Sequence, residues 1–200
     1  MIILGVCGRT GSGKTTVCSL LDQHGWACLD TDRVARDVVK KGQPCLQELT
    51  VQFGTDILRG CGALNRKRLG NIAFTSKENQ LALNAITHKY IMESVKVWLK
   101  KQEKRGVAVA VIDAPLLFES GANALCHKTL VVISSTDHSR ARIESRDKIT
   151  SDTADARLRH QKSNEELLSL CDYAIENHGT LEELKESVRS FIETFEGEMK

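Results

Sequence analysis

The chain has 200 residues, 41% of them hydrophobic and 27% charged, with a formal net charge of +2 at pH 7. That length suits one domain with a small insertion, and its core is large enough to fold without disulfide or metal staples. The near-neutral charge and an aromatic content of 4% argue against a nucleic-acid-binding face and leave room only for a local basic patch.

No basic segment precedes a long apolar run, so no secretory leader is expected, and no apolar stretch reaches the roughly 18 residues a membrane span needs. Seven cysteines (7, 18, 28, 45, 61, 126 and 171) are scattered and never in CxxC spacing. That pattern speaks for reduced thiols and a cytoplasmic location rather than a disulfide framework or a zinc site. Cys7, beside a glycine-rich stretch, reads as a small buried residue.

In chain order, Ile2–Cys7 is a continuous apolar run, as expected of a strand buried on both faces. Thr15–His24 follows as an amphipathic helix. A second strand, Trp26–Leu29, ends at Asp30-Thr31-Asp32, and a helix is expected over Arg33–Lys40. Pro44–Phe53 and Asn65–Phe74, with Gly54, Gly60 and Gly62 between them, interrupt the alternation of strand and helix. With the long helical region Lys77–Arg105 they suggest a helical insertion. Strands are then predicted at Val107–Ile112, Thr129–Ile133 and, more weakly, Asp172–Glu176. Helices are predicted over Asp137–Arg146, Ser151–Cys171 and Leu181–Phe195, the last with a stripe of Leu181, Leu184, Val188, Phe191, Ile192 and Phe195 that would seal one sheet face. Strands alternating with helices imply an α/β fold with a doubly wound parallel sheet of five strands. The arginine-rich stretch from Arg146 to Gln161 has little to bury, and reads either as a solvated helix pair or as a mobile cover.

Gly8-Arg9-Thr10-Gly11-Ser12-Gly13-Lys14-Thr15 matches the phosphate-loop pattern G-x-x-x-x-G-K-[ST], with a strand before it and a helix after it. Glycines let the backbone N–H groups turn inward, and the helix adds its positive end. Lys14 would reach the β- and γ-phosphates, and the Thr15 hydroxyl would take Mg²⁺. No N-K-x-D segment for reading guanine is present. Asp113 closes the strand Val109-Ala110-Val111-Ile112, either as an Asp that orients Mg²⁺ or as an ordinary turn residue. Asp32 ends the second strand on the ligand edge of a parallel sheet. There its carboxylate either takes the proton of an attacking alcohol or caps the following helix.

Several segments together resemble the dephospho-CoA kinase family: the D-x-D of Asp30-Thr31-Asp32 with Val34-Ala35-Arg36, "ALNRKRLGNIAF" (Ala63–Phe74), "LNAITHKYI" (Leu83–Ile91), "DAPLLFESG" (Asp113–Gly121), "RIESRD" (Arg142–Asp147), "ARLRHQ" (Ala156–Gln161) and "CDYAIENHGT" (Cys171–Thr180). The resemblance spans Met1 to about Phe195. It implies transfer of the ATP γ-phosphate to the ribose 3′-hydroxyl of dephospho-CoA, the last step of CoA synthesis. It also implies a P-loop NTPase-type core (about 1–41, 106–146 and 172–200), a helical substrate-binding insertion (about 42–105) and a helical lid (about 147–171).

By the same resemblance Asp32 is the base or hydroxyl-orienting group, and Gly11, Ser12, Gly13, Lys14, Thr15 and Thr16 hold the triphosphate. Arg142 and Arg146 lie at the base of the lid and Arg157 near its far end, placed to neutralise the transferring group. Asn177 and Gly179 belong to the loop beside the adenine. Arg66 and His88 line the acceptor site, which Phe118 and Glu119 border. Implied partners are ATP with Mg²⁺ and dephospho-CoA, with no nucleic acid, no membrane, and a monomer or weak homo-oligomer. The chain departs from the family at Lys89, where His-Pro is usual, and at Arg9-Thr10, where small residues are. Thr15 stands where Ser is commoner and keeps the hydroxyl. Competing readings are a nucleotide or nucleoside kinase of the same fold, a nucleotide-binding switch and a nucleic-acid-dependent ATPase.

Overall fold

The continuous apolar run after Met1 becomes β1 (Ile2–Cys7), whose last four residues are buried, as a strand covered on both faces must be. The computed structural model describes residues 1–159 and 161–199, without the side chain of Arg157. Five strands form one sheet in the order β2-β3-β1-β4-β5, with β2 at Ala27–Asp30, β3 at Val109–Asp113, β4 at Lys128–Ile133 and β5 at Tyr173–Glu176. β1 pairs in parallel with β3 and with β4, and β4 in parallel with β5. In register, Val6 stands opposite Asp113 and Leu130. The chain leaves β1 toward one side of the sheet and crosses to the other between β3 and β4. The loop after β1 thus occupies the point where strand order reverses, the usual ligand position in such sheets.

The helices are α1 (Lys14–Gln23), α2 (Thr31–Asp37), α3 (Pro44–Phe53), α4 (Arg66–Ala73), α5 (Lys77–Lys104), α6 (Thr136–Asp147), α7 (Ser151–Arg159), α8 (Asn164–Leu170) and α9 (Leu181–Glu198). The two compact units are Met1–Leu29 with Gln102–Lys200, and Asp30–Lys101.

In the first unit the α9 stripe packs as its spacing predicts except at Leu181, the first residue of the helix, which is exposed. Leu184, Val188, Phe191, Ile192 and Phe195 join Leu4, Val6, Val17, Leu21, Trp26, Leu130 and Val132 in one core. Trp26 lies 5.2 Å from Phe195 between ring centroids, and Tyr173 lies 5.4 Å from Phe191. Thr180 and Glu183 close a capping box that fixes where α9 starts. The second unit has its own core of Val38, Val39, Cys45, Leu49, Ile57, Leu69 and Ile86, gathered from the end of α2, from α3, α4 and α5, and from the turns between them.

Two expectations are corrected. The single helix expected over Ser151–Cys171 is two, because Ser163 and Glu166 form a second capping box that starts α8 afresh. The stretch before it also buries more than its composition suggests, since Ala154 and Leu158 pack against Ile143 in a small core of their own. Arg140 ties α6 to α7 by donating to Asp155 at 2.6 Å.

Candidate active site

The phosphate loop is built from backbone that only glycine adopts with ease. Gly11 and Gly13 have φ of 82° and 96°. A Cβ on Gly11 would meet the Ser139 carbonyl, and one on Gly13 would strike the Asn177 amide. Gly13 is also the N-cap of α1, so the loop runs directly into the positive end of that helix. Two loop amides are spent internally: Ser12 N donates to Arg9 O at 3.1 Å, and Thr16 N to Gly13 O at 2.9 Å.

Side chains from distant parts of the first unit hold this loop. Lys14 Nζ is paired with Asp113 at the end of β3, with side-chain exposures of 12% and 9%. Asn177, after β5, is 5% exposed, and its Nδ2 donates to Ser12 O at 2.7 Å. Arg142, on α6, donates from Nη1 to Gly11 O at 3.2 Å and to Ser134 Oγ at 3.3 Å, and from Nη2 to Asn177 Oδ1 at 3.3 Å. Gln161 accepts from Thr10 N at 3.0 Å, and Arg9 Nη2 donates to Leu158 O at 2.7 Å. Ser12 Oγ is buried without a hydrogen-bond partner, an acceptor and donor held inside the loop.

The sequence reading missed this bracing. No short-range pattern signals it, because the Asn177–Ser12 contact joins residues 165 positions apart. The Asn177 side-chain amide is committed to the Ser12 carbonyl and to Arg142. Gly179 has a local purpose as well: a Cβ there would collide with the Glu183 carboxylate that caps α9.

Arg146 lies on the last turn of α6 and donates from Nε and Nη2 to Asp147 at 2.8 and 3.1 Å. That hydrogen bond holds its guanidinium above the ordinary arginine range. The Arg157 side chain lies outside the described residues. Phe118 and Glu119 sit in the turn after β3, and Glu119 lines a narrow cleft with Gly8, Arg9, Pro115 and Gln161. Thr15 is exposed in the first turn of α1. Mg²⁺ bound to a nucleotide keeps most of its waters and needs only one or two protein oxygens. The Thr15 hydroxyl fits that modest demand. Among the described residues no group of three or more His, Cys, Asp and Glu is placed to hold a metal by itself.

Asp32, Arg66 and His88 belong to the other unit, on α2, α4 and α5 respectively. The N-cap of α2 is Asp30, whose carboxylate accepts from Asp32 N at 2.8 Å and Arg33 N at 3.1 Å. Asp32 is therefore a first-turn residue, and the capping alternative for it falls to its neighbour two positions earlier. The D-x-D pattern carried the signal for this, since an Asp just before a helix start is a capping signature. Arg66 is exposed at the first position of α4, after the Asn65 cap, and His88 is half-buried on α5.

Comparison with known proteins gives one consistent result. The sequence model of the dephospho-CoA kinase family matches residues 2–183. A dephospho-CoA kinase of Carboxydothermus hydrogenoformans is 35% identical over 196 residues, covering 96% of this chain and 95% of that protein. One of Corynebacterium glutamicum is 38% identical over 192 residues, covering 96% of each chain. The solved dephospho-CoA kinase from Campylobacter jejuni superimposes with a TM-score of 0.73 at 26% identity, covering 99% of this chain and 98% of that one.

Proposed function

The chain belongs to the dephospho-CoA kinase family, and from that premise we propose how its residues divide the work of moving the ATP γ-phosphate to the ribose 3′-hydroxyl of dephospho-CoA. The reaction needs little covalent help from the protein. It needs positioned phosphates, spread negative charge and an oriented alcohol. The observation that carries the assignment is the braced loop. Gly11 and Ser12 are fixed through their carbonyls by Arg142 and Asn177, which leaves backbone donors and the start of α1 to the triphosphate.

Lys14 exchanges its partner in this account. It rests on Asp113 and, when ATP arrives, turns its ammonium to the β- and γ-phosphate oxygens. The Thr15 hydroxyl would hold Mg²⁺, which would supply positive charge to the triphosphate. Arg142 and Arg146 stand at the lid base; Arg146 reaches the transferring group by leaving Asp147. Asp32 orients the ribose hydroxyl and accepts its proton. Arg66 provides a cation for the acceptor's pyrophosphate, and His88 a hydrogen bond. Phe118 and Glu119 border the acceptor. No helix among the described residues is long and apolar enough to cross a membrane, and we place the enzyme in the cytoplasm.

The test is ADP release from Mg²⁺-ATP with dephospho-CoA, AMP, adenosine or no acceptor. Release that requires dephospho-CoA is the expected result. Release that follows AMP or adenosine would make this a sister kinase, and release indifferent to every acceptor would leave a slow nucleotide switch.

A further inference from the structure

The sulfurs of Cys7 and Cys171 lie 3.5 Å apart, although the residues are 164 positions apart in sequence. Cys7 is the last residue of β1 and immediately precedes the phosphate loop. Cys171 is the C-cap of α8, where the chain returns from the lid to β5. Cys7 is 1% exposed, whereas Cys171 is half-buried. A disulfide needs the sulfurs at about 2.05 Å, so closure asks for a movement of roughly 1.5 Å. The freer of the two ends is the α8–β5 corner, because Cys7 is fixed in the central strand.

We propose that Cys7 and Cys171 are a modification site for peroxides, forming a reversible disulfide that slows phosphate transfer. Cys171 is the sulfur that meets the oxidant. The hydrogen bond from Cys7 holds its thiol below the ordinary range, against the effect of burial, while the same contact and burial push Cys7 up. The Cys171 thiolate attacks one oxygen of hydrogen peroxide; the O–O bond breaks, giving a sulfenic acid and hydroxide, which takes up a proton to become water. The Cys7 sulfur then attacks the sulfenic sulfur. An S–S bond forms, the S–O bond breaks, and the departing hydroxide leaves as a second water with the Cys7 proton. Two thiols supply the two electrons that reduce one peroxide.

The consequence follows from what α8 touches. Its Asn164 donates to Ser134 O at 2.9 Å, and its Leu167 lines the narrow cleft shared with Gly8, Arg9 and Gln161. A covalent tie between β1 and the end of α8 tightens that cleft and fixes a segment that lid motion must adjust.

The experiment treats the full chain with hydrogen peroxide and follows both non-reducing peptide maps and turnover with dephospho-CoA. The map does not depend on the substrate assignment, so failure of that assignment is distinguishable from failure of this one. The expected result is a linked Cys7–Cys171 peptide and a fall in turnover of about a hundredfold, the order that a misplacement of about 1 Å costs, both reversed by dithiothreitol. Cys171→Ser should match the reduced wild type and keep its turnover under peroxide, and Cys7→Ala should do the same if the first variant folds poorly. The proposal is overturned if exposed Cys61 is oxidised while the pair stays reduced, if the link forms without slowing turnover, or if both variants lose turnover like the wild type.

Discussion

Around the phosphate loop, Ser12 is held by Asn177, Gly11 by Arg142, Thr10 by Gln161 and Lys14 by Asp113, every one a contact between residues about a hundred or more positions apart. In the Asp30–Lys101 unit the helix starts that carry Asp32 and Arg66 are set by neighbours, Asp30 and Asn65. The phosphate loop is thus held by hydrogen bonds from residues distant in sequence. Asp32, Arg66 and His88, the residues proposed to meet the acceptor, lie on three helices of a unit with its own core. The contrast teaches that, on the proposed reading, one substrate meets a backbone cradle braced across the chain and the other meets side chains whose helices are started by near neighbours in sequence. Substitutions should separate the two accordingly.

The largest effect is expected for Lys14→Ala. Loss of the ammonium removes the proposed phosphate contact and breaks the buried Lys14–Asp113 pair. Turnover should fall by about a thousandfold, and unfolding should become easier by about 3–5 kcal/mol. Steady-state kinetics and urea melts check the two parts separately, and a variant of full stability would show that Asp113 is well served by other partners.

Asn177→Ala tests the bracing. The Ser12 carbonyl and the Arg142 guanidinium both lose a partner inside the first unit, so the KM for ATP should rise by about tenfold, as for a buried hydrogen bond of about 1–2 kcal/mol, with the KM for dephospho-CoA unchanged. Arg66→Ala is the mirror experiment, raising the KM for dephospho-CoA by about tenfold, the worth of one charge-assisted contact, and leaving that for ATP alone. If either variant moves both constants alike, the division between the two sides is broken.

The smallest effect concerns stability against acid. Burial raises the Asp172 carboxyl, but hydrogen bonds from Thr129 Oγ1 and N, both at 2.7 Å, outweigh it and hold the group below the ordinary carboxylate range. A depressed folded-state value means stability that is present above the unfolded value of about 4 and is lost as pH falls through the lower, folded one. Thermal melts should therefore show Asp172→Asn less stable than wild type at pH 7, with the gap narrowing at pH 3 and below.

Much of the fold was legible because its code is local. A glycine pattern, a β-branched run before it and a 3.6-residue stripe in α9 each declare themselves within about twenty residues, and Ile2–Cys7, Pro44–Phe53 and the start of α9 at Leu181 fall where the pattern put them. The break at Ser163 was hidden, since Ser163 with Glu166 three residues on is a short capping signal inside a polar stretch of helical composition. The capping of α2 was half legible: the D-x-D pair announced a cap and a functional carboxylate, but not which Asp was which. The Lys14–Asp113 pair and the Asn177 brace depend on strand order, which no local stretch of sequence states.

The central claim is that Asp32 serves the acceptor and not the nucleotide. Its most direct test is one pair of measurements on Asp32→Ala: ATP affinity without acceptor, and turnover with saturating Mg²⁺-ATP and dephospho-CoA. The account predicts unchanged ATP affinity and a loss of turnover of about a hundredfold or more. Turnover close to wild type would contradict it, and would reduce Asp32 to a first-turn residue of α2.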